Sequence, residues 1–232
     1  MDGTSGDDVI VAGRDAEVHA EAGDDTVCLE QGVVDGGDGF DAVLVLGSTA
    51  DDGLGVLGAE ALDIRLGGGS DRLRLVVTDQ SSGTIAGGGG ADSLDLLSQE
   101  SVLADLPRNA LTVDADSEFH LGGFEVLAVG SPDVTLLGTP GPDVLHAYYR
   151  ACRVTIKGGA GRDRLGLVAS GDSLDSPPCG DSHTSRLVGQ AGNDRLKGHS
   201  YDDRLYGGPG RDRADGGHGG DDVCRAEITV RC

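Results

Sequence analysis

Large side chains are what this sequence has least of: no Trp, three Phe, four Tyr and one Met in 232 residues. That stock cannot fill a wide globular core, so the interior must be thin. Cations are scarce as well. Eighteen Lys and Arg face 40 Asp and Glu, a formal charge of −22 that repels phosphate backbones and anionic lipid. Nucleic acid is therefore not an expected partner. Membrane insertion is not expected either, since no apolar run approaches the ~18 residues of a spanning helix. The opening MDGTSGDD has neither the basic segment nor the apolar core of a secretory signal, so it is silent about compartment. No CxxC or Cys/His spacing suits a zinc or redox centre. Long helices are disfavoured, because 41 Gly and 7 Pro interrupt the chain.

What the chain does have is Gly and Asp in register. Asp outnumbers Glu 32 to 8, and Asp is the shorter ligand and the better turn former. Residues 189 to 224 divide without a gap into GQAGNDRLK, GHSYDDRLY, GGPGRDRAD and GGHGGDDVC. Gly leads each nonapeptide, Asp holds the sixth place (Asp194, Asp203, Asp212, Asp221), and Leu196, Leu205, Ala214 and Val223 hold the eighth. Single copies begin at Gly3, Gly36, Gly87, Gly138 and Gly158, and worn copies surround AEAGDDTVC and LGGGSDRLR.

The pattern resembles the haemolysin-type, or RTX, calcium-binding nonapeptide GGxGxDxUx, where U is a large apolar residue. The resemblance is strongest over 189 to 224 and is missing over about 45 to 66 and 96 to 137. The ending GGHGGDDVCRAEITVRC also resembles the tail of secreted actinobacterial proteins of this type. The resemblance implies Ca²⁺ as the bound ion, with Asp8, Asp25, Asp41, Asp71, Asp92, Asp143, Asp163, Asp194, Asp203, Asp212 and Asp221 as the metal-ligating carboxylates.

The spacing has its own physics. A Gly-rich turn of six residues followed by a short alternating strand makes half a coil, so two nonapeptides make a flattened coil of eighteen. Each repeat then stacks on the next but one, Asp194 on Asp212 along one edge and Asp203 on Asp221 along the other. Carboxylates stacked that closely repel one another unless a hard cation with six to eight oxygen ligands sits between them. Upstream the spacing slips: 17 and 16 residues between Asp8, Asp25 and Asp41, 21 between Asp71 and Asp92, 20 between Asp143 and Asp163. Tyr201 stands where the pattern has Gly and predicts a distorted site around Asp203.

The expected fold is all-β, a parallel β-roll or β-solenoid running from 1 to 232. Acidic coils with scattered repeats occupy 1–95 and motif-poor coils 96–137. Coils with a lateral loop near 171–185 fill 138–188, the tandem repeats 189–224, and a cap 225–232. Runs such as AVLVLG, LDIRLG, LRLVV, FEVLAV and VTLLG read as strands without calcium. DLPRNALTVDADSEFHLGG is either a long coil or a small insertion. Of the five cysteines, pairings of Cys152 with Cys179 and of Cys224 with Cys232 are expected, which favours an oxidising compartment and leaves Cys28 over.

The functional expectation is a secreted, monomeric calcium-binding module without catalysis, its folding coupled to the ion. Its partners are calcium and, as an open option, an extracellular or cell-surface polymer. The alternatives are an adhesin module and a β-helical enzyme acting on polysaccharide, for which Asp114, Asp116 and Glu118 are the candidate cluster. GDSL at 171–174 with Asp215 and His218 has the spacing of a serine-hydrolase signature, but the pair falls on variable repeat positions with no α/β sheet beneath it. The six His residues read as solvated surface. Arg164, Arg195, Arg204 and Arg213 each follow a repeat Asp, which predicts charge compensation in preference to a basic stripe for a partner. Residues 1–116 hold 24 acids and 5 bases, against 16 and 13 in 117–232, so the first half depends most on the ion.

Overall fold

A computed structural model describes all residues except 48–49, 51, 78–79, 115, 149–150, 170–182 and 219. The expected strands form. Apart from a short 3₁₀ turn at Leu106–Arg108, every regular element among the described residues is a strand of three to nine residues. Contacts divide the chain into two compact units: Met1–Ser98 with Asn109–Phe124, and Gln99–Arg108 with Glu125–Cys232.

In the first unit successive strands alternate between two parallel sheets, which is how a winding chain builds a solenoid. One sheet takes Val9–Val11, Thr26–Leu29, Ala42–Leu46, Ala61–Arg65 and Ser82–Ala86. The other takes Ala16–His19, Gly32–Asp35, Gly53–Leu57, Arg72–Val77 and Ser93–Ser98. Period-two alternation sends one side chain in and the next out, and parallel register stacks the inward ones. Val18, Val34, Val56, Leu75 and Leu96 thus form one buried column. Aliphatic rows of this kind need no large aromatic residue.

The segment left open between coil and insertion is an insertion. Ala110–Val113 and Ser117–Gly122 make an antiparallel hairpin whose second strand also pairs in parallel with Ser82–Ala86. Asp114 sits at its turn with φ 54°.

The second unit repeats the plan. Val102–Asp105, Asp133–Leu137, Arg153–Gly161, Thr184–Gly192, Asp203–Tyr206 and Val223–Arg225 form one sheet. Val126–Gly130, Val144–Tyr148, Arg164–Val168, Arg195–Lys197, Arg213–Asp215 and Ile228–Val230 form the other. Its core columns taper toward the C-terminus: Leu165, Leu196, Ala214, then exposed Thr229. A Cys224–Cys232 disulfide ties down this thin last coil, as expected. Cys152 is disulfide-bonded, while its expected partner Cys179, the GDSL segment and most of the lateral loop lie outside the described residues. Cys28 is a free thiol.

Candidate metal centres

Each repeat Asp stands at the entry to a strand, where alternation turns it inward at the edge of the coil. Asp25, Asp41, Asp71, Asp92, Asp143, Asp163, Asp194, Asp203 and Asp212 are all buried; Asp8 is half-buried. The residues stack. The backbone N–H of Asp8 donates to Asp25 Oδ1 (2.8 Å), that of Asp25 to Asp41 Oδ1 (3.0 Å), and that of Asp41 to Glu60 Oε2 (2.8 Å). On the opposite edge of this unit Asp52 donates to Asp71 Oδ1 (2.7 Å) and Asp71 to Asp92 Oδ1 (2.9 Å). In the second unit one column runs Asp143, Asp163, Asp194, Asp212, Glu227, each N–H donating to the next carboxylate at 2.8–3.0 Å. Spacings of 16 to 31 residues therefore all bring Asp onto Asp.

One expected stacking differs. Asp203 donates to Asp222 Oδ1 (2.9 Å), not to Asp221. Arg204 pairs with Val223 and Leu205 with Cys224, a register one residue later than the nonapeptide count. The turn after Gly216 holds one residue more than the turn after Gly198, which moves Asp221 outward. There it is exposed, and its N–H donates to Asp202 Oδ1 (2.9 Å).

The fate of Oδ2 sorts the turns into two kinds. At Asp8 and Asp143 the second turn residue is Thr: its N–H donates to Oδ2 at 2.6 Å, and its hydroxyl reaches the same carboxylate. At Asp203 the N–H of His199 does the same (2.7 Å), and Ser185 Oγ donates to Oδ1. At Asp25, Asp41, Asp163, Asp194 and Asp212 the second residue has positive φ instead: Glu21 79°, Gly37 94°, Gly159 106°, Gln190 75°, Gly208 110°. In these five turns the buried Oδ2 has no hydrogen-bond partner among the described residues.

A buried carboxylate oxygen without a donor is costly. At Gly158 and Gly189 a Cβ would meet both Oδ2 of the turn's own Asp and the carbonyl oxygen of the leading Gly one coil on. Acceptors with no donor between them gather where a side chain cannot go. Burial, then repulsion from stacked neighbours, raises the pKa of Asp41 and Asp194, and raises Asp163 to about 6; burial raises Asp143 and Asp203 as well. Such a place suits a hard cation with oxygen ligands. Among the described residues no three His, Cys, Asp or Glu side chains converge as a cluster, so backbone carbonyls must complete any ligand set.

A family model for the RTX calcium-binding nonapeptide repeat matches four copies, over residues 2–32 and 188–223. These are RTX repeats. RTX repeats bind Ca²⁺, the carboxylate and turn-carbonyl donors fit that ion, and calcium is accordingly a partner of this chain. A comparison with curated proteins returned no match.

Glu60, Glu227, Asp52 and Asp222 join the columns although none holds the sixth place of a nonapeptide. Their one signal is position, an acid directly before an alternating strand. The candidate enzymatic cluster stays open to solvent: Asp114 and Asp116 flank the hairpin turn and Glu118 lies opposite Thr112, all three exposed. His183 stacks on Tyr201 at 4.0 Å, which accommodates the ring that replaces a turn Gly.

Proposed function

We propose that calcium converts this chain from a loose acidic polymer into a rigid β-solenoid after export, and that the folded solenoid serves outside the cell as a monomeric, non-catalytic structural or surface module. The observation behind this reading is the set of five buried Oδ2 atoms that find no donor among the described residues. Ion binding then becomes folding free energy. At ~100 times its dissociation constant each independent site adds about 2.7 kcal/mol. Sites with dissociation constants on the order of 10⁻⁴ to 10⁻³ M suit extracellular calcium and stay empty in a low-calcium cytosol.

Circular dichroism during a calcium titration tests the proposal. Strand signal should grow with calcium and vanish with chelator, with calorimetry counting more than one ion. A spectrum indifferent to both sinks it.

A further inference from the structure

In the second unit acids and bases are sorted by face. Asp163, Asp194 and Asp212 turn inward, so Arg164, Arg195 and Arg213, each one residue later, point out. The three arginines are direct neighbours in the parallel ladder, Arg164 beside Arg195 and Arg195 beside Arg213. All are exposed, and none is ion-paired among the described residues. The expected compensation of the adjacent carboxylates is not what they do, since alternation sends the two groups to opposite sides of the strand. Lys197 extends the same face.

The opposite sheet is similar, with Arg153, Lys157, Arg186, Arg204 and Arg225 exposed. Asp105, Asp133 and Asp215 are already matched, by Arg108, Arg153 and Arg231. By sequence this unit holds 17 acidic and 14 basic residues, a net charge of −3. Each calcium adds two positive charges, so the second ion bound already makes the unit a cation.

We propose that the ladder of Arg164, Arg195 and Arg213, with Lys197, binds a linear anionic polysaccharide carrying one acidic group per sugar, a polyuronate, and that calcium loading switches this binding on. Guanidinium groups hold carboxylates in a two-pronged grip. Rungs at ~4.8 Å present one cation per rung. Duplex DNA carries one charge per ~1.7 Å and a single strand one per ~3.4 Å, so nucleic acid would leave most of its phosphates unmatched. A chain with a single carboxylate on every ring meets the ladder nearly one to one. The switch rests on the calcium reading above; the ladder itself does not.

The test is fluorescence anisotropy of a labelled oligouronate too short to gel, titrated with the full chain in calcium and in chelator, with circular dichroism on the same samples. The native chain should bind in calcium, weaken as NaCl is raised, and release in chelator. Arg164→Gln/Arg195→Gln/Arg213→Gln should weaken binding about tenfold or more. The calcium-induced strand signal should not change. The three Arg→Lys replacements, which keep the charge and lose the fork, should fall between. Undiminished binding by the Gln variant, equal binding of a neutral oligosaccharide, or tighter binding of a single-stranded oligonucleotide overturns the site. A strand signal indifferent to calcium overturns the switch and the reading beneath it, while the Gln variant still reports on the ladder.

Discussion

A carboxylate buried at the entry to a strand has two oxygens to satisfy, and at Asp25, Asp41, Asp163, Asp194 and Asp212 one of them accepts from the backbone of the neighbouring coil. The second oxygen divides the sites. Asp143 is served by Thr139, whereas Asp194 has no donor for Oδ2 among the described residues. Asp194→Asn should therefore remove a calcium site and most of about 2.7 kcal/mol of calcium-dependent stability at saturating ion. Asp143→Asn should lower the melting temperature by the same amount at saturating calcium as at the lowest calcium that still folds the chain, and melting curves in the two conditions separate the cases. Asp163 gives a pH signature. Its folded pKa, raised to about 6 by burial and by Asp194 and Asp143, lies above its unfolded value. It therefore favours folding at low pH, and that contribution is lost as pH rises through about 6. In chelator the strand signal should be greater near pH 4 than near pH 6. In calcium the trend should reverse, because protons and the ion compete for the same oxygens.

At the scale of elements, stability comes from parallel rows of Val, Leu and Ile, and each row is as strong as its weakest rung. The row Leu165, Leu196, Ala214, Thr229 loses side-chain volume toward the end of the chain. The Cys224–Cys232 bridge closes a short loop over this weak end. Reducing it should cost about 2.5 kcal/mol on a chain-entropy estimate. The loss should appear in hydrogen exchange as early opening of Val223–Arg225 and Ile228–Val230, with Val144–Tyr148 still protected.

For the molecule as a whole, charge is the variable that folding must overcome. By sequence the first unit holds 23 acids and 4 bases, a net of −19, and its thin core opposes that repulsion weakly. Monovalent salt screens but cannot fill the buried turns. Raising NaCl in chelator should compact the chain, read as a smaller hydrodynamic radius, without restoring the strand signal that calcium gives. Recovery of full strand content by NaCl alone would show that screening, and not coordination, sets the fold.

The nonapeptide period by itself determined the all-β solenoid and the stacking of Asp194 on Asp212, because a fixed count of residues per half-coil leaves one winding that buries Leu196 and Leu205 and aligns the acids; that Asp163 joins this column across a gap of 31 residues was decided by the tertiary structure. The period could not tell Asp221 from Asp222, since one added turn residue shifts the register, nor reveal Glu60 and Glu227 closing the columns from outside any repeat. Tertiary structure alone decided which carboxylate oxygens keep no donor. That depends on whether the second turn residue takes positive φ, as Gln190 does, or presents its N–H, as Thr139 does. Nor did the sequence decide where the arginines point: only the paired strands show that Arg164, Arg195 and Arg213 face away from the acids they follow.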